Sequence, residues 1–410
     1  MKEEIMVAET AQPRGLISRL TGVIIMLVVM LMIVTAAVWI ACRPATPDAF
    51  YSHQLPQDAR VGTLLKSEPF SKAVPEGAQG WRILYVTTRV GKPVVASAVI
   101  VVAKQNAQSP RPIIAWAHGT TGVVSGCAPS VMEKPFDNLP SIDALVREGW
   151  AYIGADYPGL GTDGGHTYLV GEDAANAVLD AVRAARQMRD ANLGDRLVVW
   201  GHSQGGNSAL WAGMRVTEYA PELKLLGVAA LAPASDLKGL VSASKGGRFG
   251  KIISALILRS YSQAYPDVQV GDYARGVSRL IASDIASRCV GGYGALFSVL
   301  ETNLFPSEGI FSRDPTTGSL GNRLGENTPT GIIPAPVLIA QGEVDDLVLP
   351  EVQKRYVTAR CSAGQKIGFR TYAGRSHLSL VGADSPLAPE LLSWTRDLFD
   401  GKPKEGNCKP

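Results

Sequence analysis

The chain is poor in charge. Asp, Glu, Lys and Arg make up 19% of its 410 residues, below the roughly 25% of an average soluble protein. Its 40 basic and 37 acidic residues nearly balance, for a net charge of +3. There is no Lys/Arg block, so the electrostatic footprint of a nucleic-acid binder is missing and a neutral substrate is the better default. Metal-ligand patterns are missing too. The five cysteines are Cys42, Cys127, Cys289, Cys361 and Cys408, and none sits in a CxxC or a Cys/His cluster. Zinc is therefore not expected. Histidine is scarce, at five residues. Apolar residues are not scarce: at 46% they allow a large core and exclude disorder as the main state. The length allows two or three domains, and no internal repeat is evident.

One apolar run stands apart. Residues 22–41 read GVIIMLVVMLMIVTAAVWIA, uncharged and about long enough to cross a bilayer as a helix. Lys2, Arg14 and Arg19 precede it, and Arg43 and Arg60 follow, a weak bias towards an inside N-terminus. The run reads as a retained anchor or a cleaved signal, whose apolar region is ordinarily shorter. A lipid-anchored Cys42 is a third, poorer reading. No second spanning segment follows, and residues 1–47 are expected to be a cytoplasmic stub plus this anchor or signal segment. The rest is expected outside the cytoplasm. The four remaining cysteines are widely spaced. They suit two disulfides in an oxidising compartment, with four buried thiols as the alternative.

After a Pro-rich, polar lead-in over 43–75, strands and helices alternate. Residues 81–90 and 94–102 flank Gly91-Lys92-Pro93 and read as a hairpin. Residues 112–116, 150–155, 196–200, 225–231, 337–340 and 366–372 read as strands. Residues 170–189 carry apolar positions at helical spacing. Strands that are apolar throughout, separated by helices, describe a mostly parallel sheet covered on both faces. Residues 235–332 break the alternation. They hold helical pieces at 251–258 and 277–285, many Gly, Ser and Asn, and no clear strand. A hundred residues is too much for a loop, so this is expected to be an inserted helical cap. The core is then expected over 48–234 and 333–410.

Gly201-His202-Ser203-Gln204-Gly205 is a G-x-S-x-G pattern. It follows a predicted strand and opens a predicted helix, the context the motif requires. The tight turn exposes the Ser203 hydroxyl, and the helix N-terminus behind it favours developing negative charge. In such sites the order along the chain is Ser, then acid, then His. Only His377 follows Ser203, and it lies just past a predicted strand. Its orienting acid is expected at Asp345, with Asp346 and Glu343 as alternatives in the same turn. Oxyanion donors are expected from the Thr120 N–H, or that of Gly119, and from the Gln204 N–H. His118, His166 and His202 read as structural or rim residues.

Together these features resemble the secretory lipase family of the α/β-hydrolase superfamily, the yeast lipase A type. The resemblance rests on His118–Gly122, Cys127-Ala128-Pro129-Ser130, Asp156-Tyr157-Pro158-Gly159-Leu160-Gly161, Gly201–Gly206, the Gly342–Asp346 turn and His377. It spans roughly residues 48–408. It implies an α/β-hydrolase fold, a catalytic Ser203, Asp345 and His377, and a cap over an acyl pocket. It also implies the disulfides Cys127–Cys289 and Cys361–Cys408. The expected function is serine carboxylic ester hydrolysis on a small-molecule or lipid ester, with no metal and no cofactor. Ile253, Leu256, Leu296 and Phe297 in the cap are expected to supply apolar lining. An exported peptidase of the same fold shares the triad. A silent, membrane-tethered binding domain should have lost a triad member, and none is missing. The residues do not specify an oligomeric state.

Overall fold

Short apolar runs that lack polar alternation, bounded by turn residues, suit strands with both faces covered. They fold as such. The computed structural model describes residues 14–105, 107–244, 246–305 and 309–408. Lys2 and the rest of the expected stub up to residue 13 lie outside these. By contacts the chain forms two units, Met1–Arg43 and Pro44–Pro410.

In the first unit, α1 (Arg14–Ala41) is a 28-residue helix. Its stretch Thr21–Val38 has a mean hydropathy of 2.8, long and apolar enough to cross a membrane.

Among the described residues, the second unit is built on nine strands: β1 (Leu64–Phe70), β2 (Ala78–Arg89), β3 (Lys92–Ala103), β4 (Arg111–Ala117), β5 (Ala151–Ala155), β6 (Leu193–His202), β7 (Lys224–Leu231), β8 (Val337–Gly342) and β9 (Ile367–Tyr372). Their order in the sheet is β1-β2-β3-β5-β4-β6-β7-β8-β9. The first three strands are antiparallel, and from β5 to β9 every pairing is parallel. Period-two geometry then sorts the side chains. Ile113, Ala115, Leu197, Val199, Val228 and Ile339 fall on one face. Helices α3 (Gly171–Ala185), α4 (Gln204–Tyr219) and α11 (Pro350–Ser362) cover it. Ile114, Trp116, Val198, Trp200 and Leu338 fall on the other, under α2 (Ile142–Arg147) and α12 (Leu387–Phe399).

Two local readings are corrected. The hairpin turn is Val90-Gly91, both with positive φ (48° and 72°), so Lys92 and Pro93 already belong to β3. The lead-in over 43–75 contains an edge strand, β1. Its Pro69 and its bulge between Leu64 and Lys66 are tolerated because an edge strand pairs on one side only.

Between β7 and β8, the described residues are helical and form no strand. They hold α5 (Leu237–Ser244), α6 (Arg248–Ala264), α7 (Val270–Tyr273), α8 (Gly276–Ile285), α9 (Gly292–Glu301) and α10 (Gly318–Glu326). These helices bury a second apolar cluster around Leu237, Leu256, Tyr261, Tyr273 and Leu320. Ile253 and Leu256 are inside it. Leu296 and Phe297 are not: they face outward, exposed by 60% and 38%, and do not line an internal pocket.

Cys127 is bonded to Cys289, which lies between α8 and α9, and Cys361 to Cys408. The two bonds close 162 and 47 residues of sequence. Loop-closure entropy then predicts losses of roughly 5 kcal/mol for Cys127→Ser/Cys289→Ser and roughly 4 kcal/mol for Cys361→Ser/Cys408→Ser. Denaturant midpoints of the two double variants test this, and a first variant as stable as the parent contradicts it.

Candidate active site

The parallel strands end on one edge of the sheet, where open α/β sheets carry their sites. Four of those ends converge. β6 runs straight into Ser203, whose backbone has φ 58° and ψ −118°. A non-glycine residue reaches that conformation only when its surroundings hold it there. They do: Ser203 N–H donates to Leu231 O at 2.9 Å, and Ser203 O accepts from Ala234 N–H at 3.1 Å. The motif glycines have a steric cause. A Cβ on Gly201 would sit 2.0 Å from Gly205 O, and one on Gly205 would sit 1.8 Å from Ala117 O.

The ends of β8 and β9 are joined to each other. Glu343 N–H donates to Tyr372 O and Val344 N–H to Arg375 O, each at 3.1 Å. A Cβ on Gly342 would lie 2.2 Å from Arg375 O, which is why a glycine opens this turn. The join brings Asp345 beside His377. Asp345 Oδ2 lies 2.8 Å from His377 Nδ1, and His377 Nε2 lies 2.8 Å from Ser203 Oγ. All three side chains are buried. Asp345 is held by further donors: Leu347 N–H at 2.9 Å and Val348 N–H at 2.8 Å to Oδ1, and Gln341 Nε2 at 3.1 Å to Oδ2. Glu343 and Asp346 are exposed, and Glu343 accepts from Thr371 Oγ1 instead.

Gly119 and Thr120 follow β4. A Cβ on Gly119 would come within 3.8 Å of the Ser203 Cβ, so this loop passes directly over the serine. Thr120 Oγ1 is fastened to Tyr168 OH at 2.8 Å. Gln204 is the first residue of α4, so its N–H has no carbonyl within the helix to reach. The loop is tied to the cap by the Cys127–Cys289 bond and by Val290 N–H donating to Thr121 O at 2.8 Å.

The three other histidines near the site are buried. His118 and His166 both pack on Tyr157, at ring separations of 4.4 Å and 5.3 Å. The Gln204 amide donates to His166 Nε2 at 2.9 Å. His202 donates from Nε2 to His377 O at 3.0 Å. Burial pushes His118 down to about 4 and His166 to about 3. His202 is pushed to about 3 from its ordinary 6.5, by desolvation first and by the neighbouring His377 second.

His202 therefore couples stability to pH. The unfolded ring takes a proton below about pH 6.5, and the folded ring resists to about 3. Its contribution is complete above about 6.5 and falls as pH falls. At pH 5 about 2 kcal/mol is lost. Asp156, Asp173 and Asp180 are pushed up to about 6 by desolvation, so their ionisation destabilises the fold as pH rises, the opposite sign. A variant comparison cancels them. Between pH 7 and pH 5, His202→Gln is expected to lose about 2 kcal/mol less stability than the parent. Equal losses in both chains would refute the coupling.

One buried element lay beyond the sequence reading. Asp156 accepts from Ser97 Oγ and Ser130 Oγ, each at 2.5 Å, and from Ser130 N–H at 3.2 Å. It ties the Cys-Ala-Pro-Ser segment to β3 and β5. The Asp-Tyr-Pro-Gly string was visible, but nothing in it names its partners.

Residues 136–407 match the family model described as Secretory lipase. A probable inactive lipase of Mycobacterium tuberculosis is 27% identical over 381 residues, covering 87% of this chain and 81% of that protein. Lipase 5 of Candida albicans is 24% identical, covering 86% and 80%. Among solved structures, Candida antarctica lipase A superposes with a TM-score of 0.72 at 19% identity, over 88% of this chain and 87% of that one. That likeness assigns the α/β-hydrolase fold. The family, the disulfides and the apolar N-terminal helix mark an exported protein, with α1 as signal or anchor. The chain belongs to the secretory lipase family, and it is a carboxylic ester hydrolase.

Proposed function

We propose that the chain cleaves acyl esters through a Ser203–His377–Asp345 triad and an acyl-enzyme. The observation that carries this is the continuous contact from Asp345 Oδ2 through both His377 nitrogens to Ser203 Oγ. A carboxylate only accepts, so the Nδ1 facing Asp345 carries the proton and Nε2 is free to accept from the serine. Ser203 then attacks the ester carbonyl while Nε2 takes its proton. The imidazolium, held by Asp345, returns that proton to the leaving alcohol. Water hydrolyses the acyl-enzyme by the same steps. The N–H groups of Thr120, or Gly119, and Gln204 receive the oxyanion, with the start of α4 adding its dipole. The substrate is a neutral small-molecule or lipid ester, and α1 is the route to a membrane.

One relative carries the name of a probable inactive lipase. That describes the relative; here Ser203, His377 and Asp345 are all present and in contact. The test is hydrolysis of p-nitrophenyl esters from acetyl to palmitoyl, with Ser203→Ala as control. Turnover that disappears in the control supports the reading, and the preferred length separates esterase from lipase. A folded parent that turns over no ester at any length defeats it.

A further inference from the structure

The cap carries a helix of reversed sidedness. α9 buries Gly294 and Ser298, and Thr302 follows one turn on. It turns Tyr293, Leu296, Phe297 and Leu300 to the outside, and Leu304 extends the stripe. On the adjoining α8, Val277 and Leu280 are exposed by 64% and 71%. A contiguous apolar surface of this kind marks an interaction site rather than a solvated face.

Beside the stripe lies a groove of about 110 Å³ between α6 and α8. Arg259, Arg279 and Ser283 line it, with Leu258 and Ala282 beneath. Among the described residues, the cap's ion pairs join Arg288 to Asp284 and Glu301, and Arg323 to Asp267 and Glu326. Among the described residues, Arg259 and Arg279 join no ion pair and are exposed. Two arginines and a serine among the residues lining one groove are side chains of the kind that suit a phosphate.

We propose that this groove binds the phosphate of an anionic phospholipid, with the α8–α9 stripe entering the apolar layer of the same lipid surface. The two features select this occupant together. A soluble anion would use the arginines and leave the stripe in water. A neutral apolar surface would cover the stripe and leave two cations without counter-charge. An anionic lipid layer supplies both. Binding here needs neither Ser203 nor His377, so it does not rest on the proposed hydrolysis.

The test is hydrogen–deuterium exchange on the full chain in two kinds of lipid nanodisc. One is phosphatidylcholine alone, and the other also contains phosphatidylglycerol. Exchange in α8 and α9 is expected to slow roughly tenfold in the phosphatidylglycerol discs. Arg259→Gln/Arg279→Gln should abolish that difference while exchange in the sheet stays unchanged. Ser203→Ala should show the same protection as the parent, which separates this result from the fate of the hydrolase reading. Equal exchange in both discs overturns the proposal, and so does a double variant protected like the parent. Protection by inorganic phosphate in the phosphatidylcholine discs would assign the groove to soluble anions and overturn the lipid source.

Discussion

Ser203→Ala is expected to lower kcat by a factor on the order of 10⁴–10⁶ with the fold intact. The fold should survive because alanine keeps the Cβ and because the backbone at φ 58° is held from outside the side chain. The holding bonds are those from Ser203 N–H to Leu231 O and from Ala234 N–H to Ser203 O. What disappears is the hydroxyl in contact with His377 Nε2. The proposed oxyanion donors remain, so a residual rate above water is expected rather than none. On an ester whose deacylation is the slower step, the parent should also release a burst of p-nitrophenol that approaches the enzyme concentration. The variant should release no burst. A variant retaining a tenth of the parent's activity would remove Ser203 from the mechanism, whatever the geometry around it.

The parallel half of the sheet was legible because burial on both faces leaves no room for polar positions. Residues 337–340 and 150–155 are apolar without interruption, and β8 and β5 are buried throughout. β1 was not legible. Leu-Leu-Lys-Ser-Glu-Pro-Phe sits half in water at an edge, where nothing forces a pattern. The serine and histidine were legible because a strained turn requires glycines at fixed spacing and because one histidine alone follows. The proposed oxyanion donors leave little trace in sequence, since a backbone N–H belongs to every residue but proline. The orientation of α9 ran against expectation. Apolarity at 296 and 297 suggested lining, but the helix packs its small residues Gly294 and Ser298 inward and leaves Leu296 and Phe297 outside.

The sequence reading places the acid at Asp345 with Asp346 and Glu343 as alternatives in the same turn, and three variants decide among them. Asp345→Asn is expected to lower kcat by about 10⁴. The reason is the polarity of each neighbour. Leu347 and Val348 aim two N–H groups at Oδ1, so an asparagine keeps its oxygen there. Its NH₂ must then face His377 Nδ1, the position that needs an acceptor. It also meets the Gln341 Nε2 donor, which contacts the same oxygen in the parent. The imidazole is driven to the tautomer with its proton on Nε2. That nitrogen then points a donor at Ser203 and cannot take its proton. Asp346→Asn and Glu343→Gln meet no such arrangement, since both side chains are exposed and, among the described residues, neither hydrogen-bonds His377. Each is expected to stay within about twofold of the parent, the range of a surface substitution. Steady-state kinetics on the three variants, with circular dichroism to confirm folding, separates the outcomes. A large loss in Asp346→Asn with Asp345→Asn near normal would transfer the role to the neighbouring carboxylate and show that the contact at Nδ1 is not the one used in catalysis.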